Sequence, residues 1–140
     1  MRGDFLAAVL DTLLPGEGEA SAAAALPSAT GAGLDPAAYE AAHQDVLAAI
    51  AAAAGSEERF LAASPSARVE VLRMVERQQA HSFRALVLAI LQDYYESEAV
   101  IAALGWRTDP PQPAGHPLAQ ADAATWERLE RVKERGRLWR

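Results

Sequence analysis

The sequence predicts an all-α fold: a single-domain bundle of about five to six helices, with a long central helix and a proline-rich strap. Three observations lead there. Alanine, the strongest helix former, supplies 33 of the 140 residues. Aromatic residues make up only 6% of the chain, and the residues that favour strands are scarce. Apolar residues recur at steps of three and four along most of the length, which is the helical period. Hydrophobic residues reach 51%, which excludes a disordered chain. A chain of 140 residues holds one domain, or one domain with a tail.

The first helix carries Phe5, Leu6, Val9, Leu10, Leu13 and Leu14 on one stripe. Asp4 can cap its start, and Pro15-Gly16 ends it. Residues 16–34 are rich in Gly, Ala, Ser and Pro and read as a flexible loop with one Ala-rich turn near residues 21–26. Asp35-Pro36 pairs an N-cap with a proline at the first helical position. A second helix therefore starts there, with Tyr39, His43, Val46, Leu47 and Ile50 inward. Gly55-Ser56 closes it and opens a short helix anchored by Phe60.

Ser64-Pro65 repeats the cap-then-proline signal. From it the stripe Val69, Leu72, Val75, Gln79, Phe83, Leu86, Ile90, Tyr94 runs without a breaker, predicting one helix of nearly eight turns as the centre of the bundle. A shorter helix over 97–104 stops at Gly105. The stretch 105–120 is Pro- and Gly-rich, which forbids a helix, and reads as an ordered strap anchored by Trp106. The last helix, 121–135, is expected to turn Trp126, Leu129 and Val132 inward. Gly136 ends it, and 136–140 form a basic aromatic tail.

Charge and chemistry narrow the function classes. The formal net charge is -6, which disfavours nucleic acid as the main partner. The charge is unevenly spread, with residues 1–63 acidic and 125–140 basic. That pattern fits either electrostatic docking of the basic end or a solvated helix laced by pairs such as Glu127 with Arg131. There are no cysteines, so disulfides and thiolate metal sites are excluded. No apolar run reaches the ~20 residues of a bilayer span. With no secretion signal seen ahead of Phe5, the chain reads as cytoplasmic, with export alongside a partner left open.

Motifs for catalysis are sparse. Gly16-Glu17-Gly18 and Gly31-Ala32-Gly33 contain GxG but complete no phosphate loop. Glu40-Ala41-Ala42-His43 has the Glu-x-x-His spacing of di-iron bundles. Its nearest counterpart, Gln78-Gln79-Ala80-His81, replaces the carboxylate and lacks the charge to hold two metal ions. Of the adjacent Tyr94 and Tyr95, one should face the core and the other a loop or partner, because neighbours on a helix point ~100° apart. No catalytic, cofactor or metal residue is assigned.

A set of motifs in the second half carries a family resemblance. It runs Phe60-Leu61, Ser64-Pro65, Arg68, Val71-Leu72, Ser82-Phe83, Leu86, Asp93-Tyr94-Tyr95-Glu96, Ala103-Leu104-Gly105-Trp106, Pro110-Pro111-Gln112-Pro113, Gly115-His116 and Arg135-Gly136 with Trp139-Arg140; Leu13-Leu14-Pro15-Gly16 joins it from the start of the chain. Together these resemble the small third subunit of gluconate 2-dehydrogenase and related membrane-associated flavoprotein dehydrogenases of sugars and sugar acids. The resemblance implies a non-catalytic accessory subunit without a cofactor, which supports maturation, export or stability of a large flavin-bearing partner. Many members carry a twin-arginine export signal, and none precedes Phe5 here.

The expected partner surface comprises Tyr95, Trp106, Pro111, His116, Leu138, Trp139 and Arg140, against a large flavoprotein dehydrogenase subunit. Nucleic acid and direct membrane insertion are not expected. Two alternatives stay open: a small-ligand binder with a pocket of Tyr95, Trp106, His43 and His116, and a homodimeric interaction protein.

Overall fold

The structure, a computed structural model, describes residues 2–17, 25–107, 115 and 120–136. Among the described residues there are seven α-helices and no strand. The chain divides into two units, Met1–Thr108 and Asp109–Arg140.

The first unit is a helical bundle. Its helices are α1 (Arg2–Leu13), α2 (Gln44–Ala54), α3 (Glu57–Ala62), α4 (Pro65–Gln78), α5 (Ala80–Glu96) and α6 (Glu98–Ala103), with a 3₁₀ turn at Pro36–Tyr39. α1 packs on α3, α4 and the 3₁₀ turn, α2 packs on α3, α4 and α5, and α6 packs on α5. The core takes Phe5, Leu6, Val9 and Leu10 from α1, Val46, Leu47 and Ile50 from α2, and Phe60 from α3. Leu72 and Val75 of α4, Phe83, Leu86, Ile90 and Tyr94 of α5, and Val100 of α6 complete it. Each such side chain contributes roughly 1.5–3 kcal/mol by leaving water. No polar or charged residue is buried among the described residues.

The long helix expected from Ser64 to Tyr94 is two helices. Gln79 leaves helical backbone (φ -131°, ψ 49°) and serves both sides of the break. Its N–H closes α4 on the Val75 carbonyl at 2.8 Å, and its carbonyl accepts the Phe83 N–H at 2.9 Å to open α5. Leu72, Val75, Phe83, Leu86, Ile90 and Tyr94 of the expected stripe are buried, whereas Val69 and Gln79 are only half-buried. A straight helix of about 30 residues would span ~45 Å, about half again the width of a small domain. Folding at Gln79 lets α4 and α5 pack on each other and both pack on α2.

The helix expected from Asp35 is also divided. Asp35 does cap, accepting the Ala37 N–H at 3.0 Å, but it starts only the 3₁₀ turn. α2 begins after His43, which is half-buried rather than on the inner face. Ser56, Ser64 and Ser97 cap α3, α4 and α6 through their hydroxyls, each worth about 1 kcal/mol.

The flexible loop expected over 16–34 is fastened down along its described part. Ala29 donates to the Leu14 carbonyl at 3.0 Å, and Glu17 donates to the Leu26 carbonyl at 2.9 Å. The Asp11 carboxylate accepts both the N–H and the hydroxyl of Thr30, at 2.8 and 2.7 Å. Ala29, Ala32 and Leu34 are buried. Small residues let this segment lie flat on α1, so its lack of bulky side chains is a packing feature.

The second unit contains α7 (Ala123–Glu134), capped by Asp122, whose carboxylate accepts the Thr125 N–H at 2.7 Å. Trp126, Leu129 and Val132, expected inward, are all exposed. The expected Glu127–Arg131 ion pair takes another form: Arg131 donates to the Glu127 backbone carbonyl at 3.4 Å, and the carboxylate of Glu130 meets Lys133. No helix among the described residues is long and apolar enough to cross a membrane.

Candidate functional site

The end of α5 divides its two tyrosines as expected. Tyr94 is buried and its hydroxyl donates to the Pro27 carbonyl at 2.7 Å. This ties α5 to the segment lying on α1. Tyr95 is 48% exposed, and its ring stands edge-on to that of Tyr94 at 5.5 Å. The buried neighbour thus fixes the orientation of the exposed one. Burial raises the Tyr94 phenol above its ordinary value, and the adjacent Tyr95 and Glu17 add to the rise.

Trp106 follows the stop of α6. Gly105, at φ +67°, adopts the left-handed conformation that only glycine enters without strain. Its N–H bonds the Ala102 carbonyl and the Trp106 N–H bonds the Ile101 carbonyl, both at 3.0 Å. This double closure is the Schellman arrangement. It fixes the Trp106 backbone and leaves its indole 61% exposed. Trp106 therefore does not anchor to the bundle as expected. Pro111, His116, Leu138, Trp139 and Arg140, the other expected partner residues, lie outside the described residues, as does most of the strap.

Of the pocket expected from Tyr95, Trp106, His43 and His116, the last lies outside the described residues. His43 lines a groove of about 230 Å³ with Gln44, Asp45, His81 and Ser82, where α2 and α5 begin. Neither Tyr95 nor Trp106 lines it. The two histidines singled out by their x-x-His spacing thus do share one groove. Among the described residues, no group of three or more His, Cys, Asp or Glu side chains is placed to hold a metal ion.

Two further grooves have apolar walls. One, of about 410 Å³, lies between the end of α1 and the start of α4, lined by Thr12, Pro15, Pro65, Arg68 and Val69. The other, of about 370 Å³, runs along α4 and α5 beside Glu76, Phe83, Arg84, Val87 and Leu88. Leu88 was not among the expected site residues. Its signal in the sequence is the spacing of Leu88, Leu91 and Tyr95, a second apolar stripe beside the core stripe of the same helix.

Compared with known protein families, curated proteins and solved structures, the chain matches none. Its chemistry is therefore read from its own surface. Exposed aromatics held on ordered backbone are suited to recognition: they bring large contact area at low entropic cost and keep a polar handle for hydrogen bonding.

Proposed function

We propose that this chain is a non-catalytic small subunit or assembly partner of a flavin-dependent dehydrogenase. The sequence resemblance supplies the partner class. The observation that carries the reading is Trp106: the preceding Leu104-Gly105 pair is occupied with ending α6, whereas the indole, 61% exposed, takes no part in the core among the described residues. A tryptophan held in water on a fixed backbone is the typical centre of a protein interface. Three other residues of the resembling motifs have structural work: Ser64 caps α4, Arg68 binds carbonyls of α3, and Tyr94 ties α5 to residue 27.

The test is affinity purification of the tagged chain from its native host after mild cross-linking. The reading expects a large flavoprotein, identified by its flavin absorbance and dye-reducing dehydrogenase activity. Trp106→Ala should reduce its recovery at least about tenfold, as for a hot-spot side chain, with helicity by circular dichroism unchanged. Recovery of the chain alone, or of the flavoprotein equally with Trp106→Ala, would refute it.

A further inference from the structure

We infer that the bend at Gln79 is a hinge for domain exchange: α4 and α5 straighten into one helix, and α5 and α6 of each chain complete the core of a second copy. The inference rests on the fold alone, is independent of the dehydrogenase reading, and is tested on the purified chain.

The sequence across the bend suits a continuous helix. Arg77, Gln78, Gln79 and Ala80 are strong helix formers, and neither proline nor glycine falls between Pro65 and Gly105. At ~100° per residue, Leu72, Val75, Gln79, Phe83, Leu86, Ile90 and Tyr94 would share an arc of about 100° on one straight helix. Two helices joined by a turn are under no requirement to keep a common phase across it, yet these two keep it. All of these residues but Gln79 are buried.

The bend itself is one residue long. Gln79 alone leaves the helical conformation. Its N–H bonds the Val75 carbonyl and its carbonyl accepts the Phe83 N–H, as both would in an unbroken helix. What the bend forgoes are the helical bonds from the N–H groups of Ala80, His81 and Ser82 to the carbonyls of Glu76, Arg77 and Gln78. No side chain caps the start of α5 in their place, whereas Ser56, Ser64 and Ser97 cap α3, α4 and α6. Straightening closes all three bonds in each chain.

A lone chain cannot straighten freely, because α5 would leave α2 and α4 and uncover the core. A second copy removes that penalty. In the exchanged dimer α5 and α6 of each copy occupy the place vacated on α2 and α4 of the other. The contacts of α5 away from the bend then reform between the copies, including the Tyr94 hydroxyl on the Pro27 carbonyl and the Tyr39 hydroxyl on the Asp93 carboxylate. The surfaces are those of the closed monomer, so the fit is self-complementary by construction. Hinge bonds favour the dimer and the entropy of association opposes it, which makes the balance depend on concentration. A connection this short is the kind that favours exchange.

The test is refolding of the purified chain from urea at concentrations up to about 1 mM, the weak end of specific association, read by size-exclusion chromatography with light scattering. A dimer whose share rises with concentration is expected. Gln79→Ala should strengthen it and Gln79→Gly should weaken it. Each dimer contains two hinges, so the two variants should differ at least about tenfold in dimer Kd, with circular dichroism showing both to be helical. Hydrogen exchange reads the hinge directly: the amides of Ala80, His81 and Ser82 should exchange at least about tenfold more slowly in the dimer than in the monomer. A chain that stays monomeric at every concentration, equal dimerisation of the Ala and Gly variants, or a dimer whose hinge amides exchange as fast as those of the monomer would each overturn the inference.

Discussion

Phe5 of α1 and Phe60 of α3 meet edge to face, with ring centroids 5.5 Å apart and ring planes at 80°. Both are fully buried. The contact joins two residues far apart in the chain and clamps the short α3 to the start of α1. Arg68 seals its outer side: its guanidinium lies over the Phe60 ring at 5.7 Å and donates from Nε to the Phe60 carbonyl at 3.0 Å, and from Nη2 to the Leu61 carbonyl.

Truncating this pair should therefore be costly. Phe60→Ala is expected to lose about 3–5 kcal/mol, combining lost transfer energy with the cavity left behind. Urea unfolding followed by circular dichroism measures it. Phe5→Leu should cost less, because it keeps most of the volume and loses mainly the edge-to-face contact.

Arg68 adds donors to carbonyls at the end of α3: that of Phe60, which also accepts the Ala63 N–H at 3.2 Å, and that of Leu61. Arg68→Ala should cost about 1–3 kcal/mol through the two lost charge-assisted bonds and the lost cover over Phe60. Arg68→Lys should recover only a minor part, since an ammonium is a compact point charge that cannot reproduce the planar fork. Equal stability of the Lys variant and the parent would contradict this geometry.

Gly16 is required for close approach. A Cβ placed there would lie 2.9 Å from the Ser28 backbone nitrogen, so the segment fastened along α1 must move. Gly16→Ala should destabilise by about 1–3 kcal/mol. Gly3, in the first turn of α1, is different: a methyl group there would meet no atom within 4 Å, and Gly3→Ala should stabilise by about 0.5–1 kcal/mol. Opposite signs for the two substitutions in thermal melts are the expected result.

Alkali should unfold the bundle through its tyrosines. The Tyr39 phenol is pushed well above its ordinary value of 10.0, first by burial and then by its 2.5 Å hydrogen bond to the Asp93 carboxylate. Tyr94 is raised as well, mainly by burial. The folded chain thus holds these protons more tightly than the unfolded chain. The associated stability is fully present below about pH 10 and is lost as pH rises through the higher folded-state values. Denaturation midpoints should fall from about pH 10 upward. The Tyr39→Phe, Tyr94→Phe double variant should be less stable at neutral pH but show a flatter alkaline slope.

Much of this molecule was open to reading from residue order alone. The helical class, the core stripes of α1 and α5, the serine caps with Pro65 behind Ser64, Phe60 as the anchor of α3, Gly105 as a stop, and one inward and one outward tyrosine all follow from local rules: period, cap chemistry and the backbone freedom of glycine. Local rules act within one or two turns, so neighbours in sequence suffice to apply them. The break at Gln79 was invisible because no proline or glycine marks it; the need to keep α4 and α5 within the width of the bundle bends the chain there. Fastening of residues 25–34 to α1 depended on Asp11 meeting Thr30, a contact no spacing rule foretells. The exposure of Trp126, Leu129 and Val132 was likewise hidden, because an amphipathic stripe states that a helix has an apolar face and not what covers it. Sequence decided which segments are helices and which sides of them are greasy. Tertiary structure decided which greasy sides are satisfied within the fold and which, as at Leu88 on the outer side of α5, stay exposed, because burial is a property of the whole packed assembly and not of any single element.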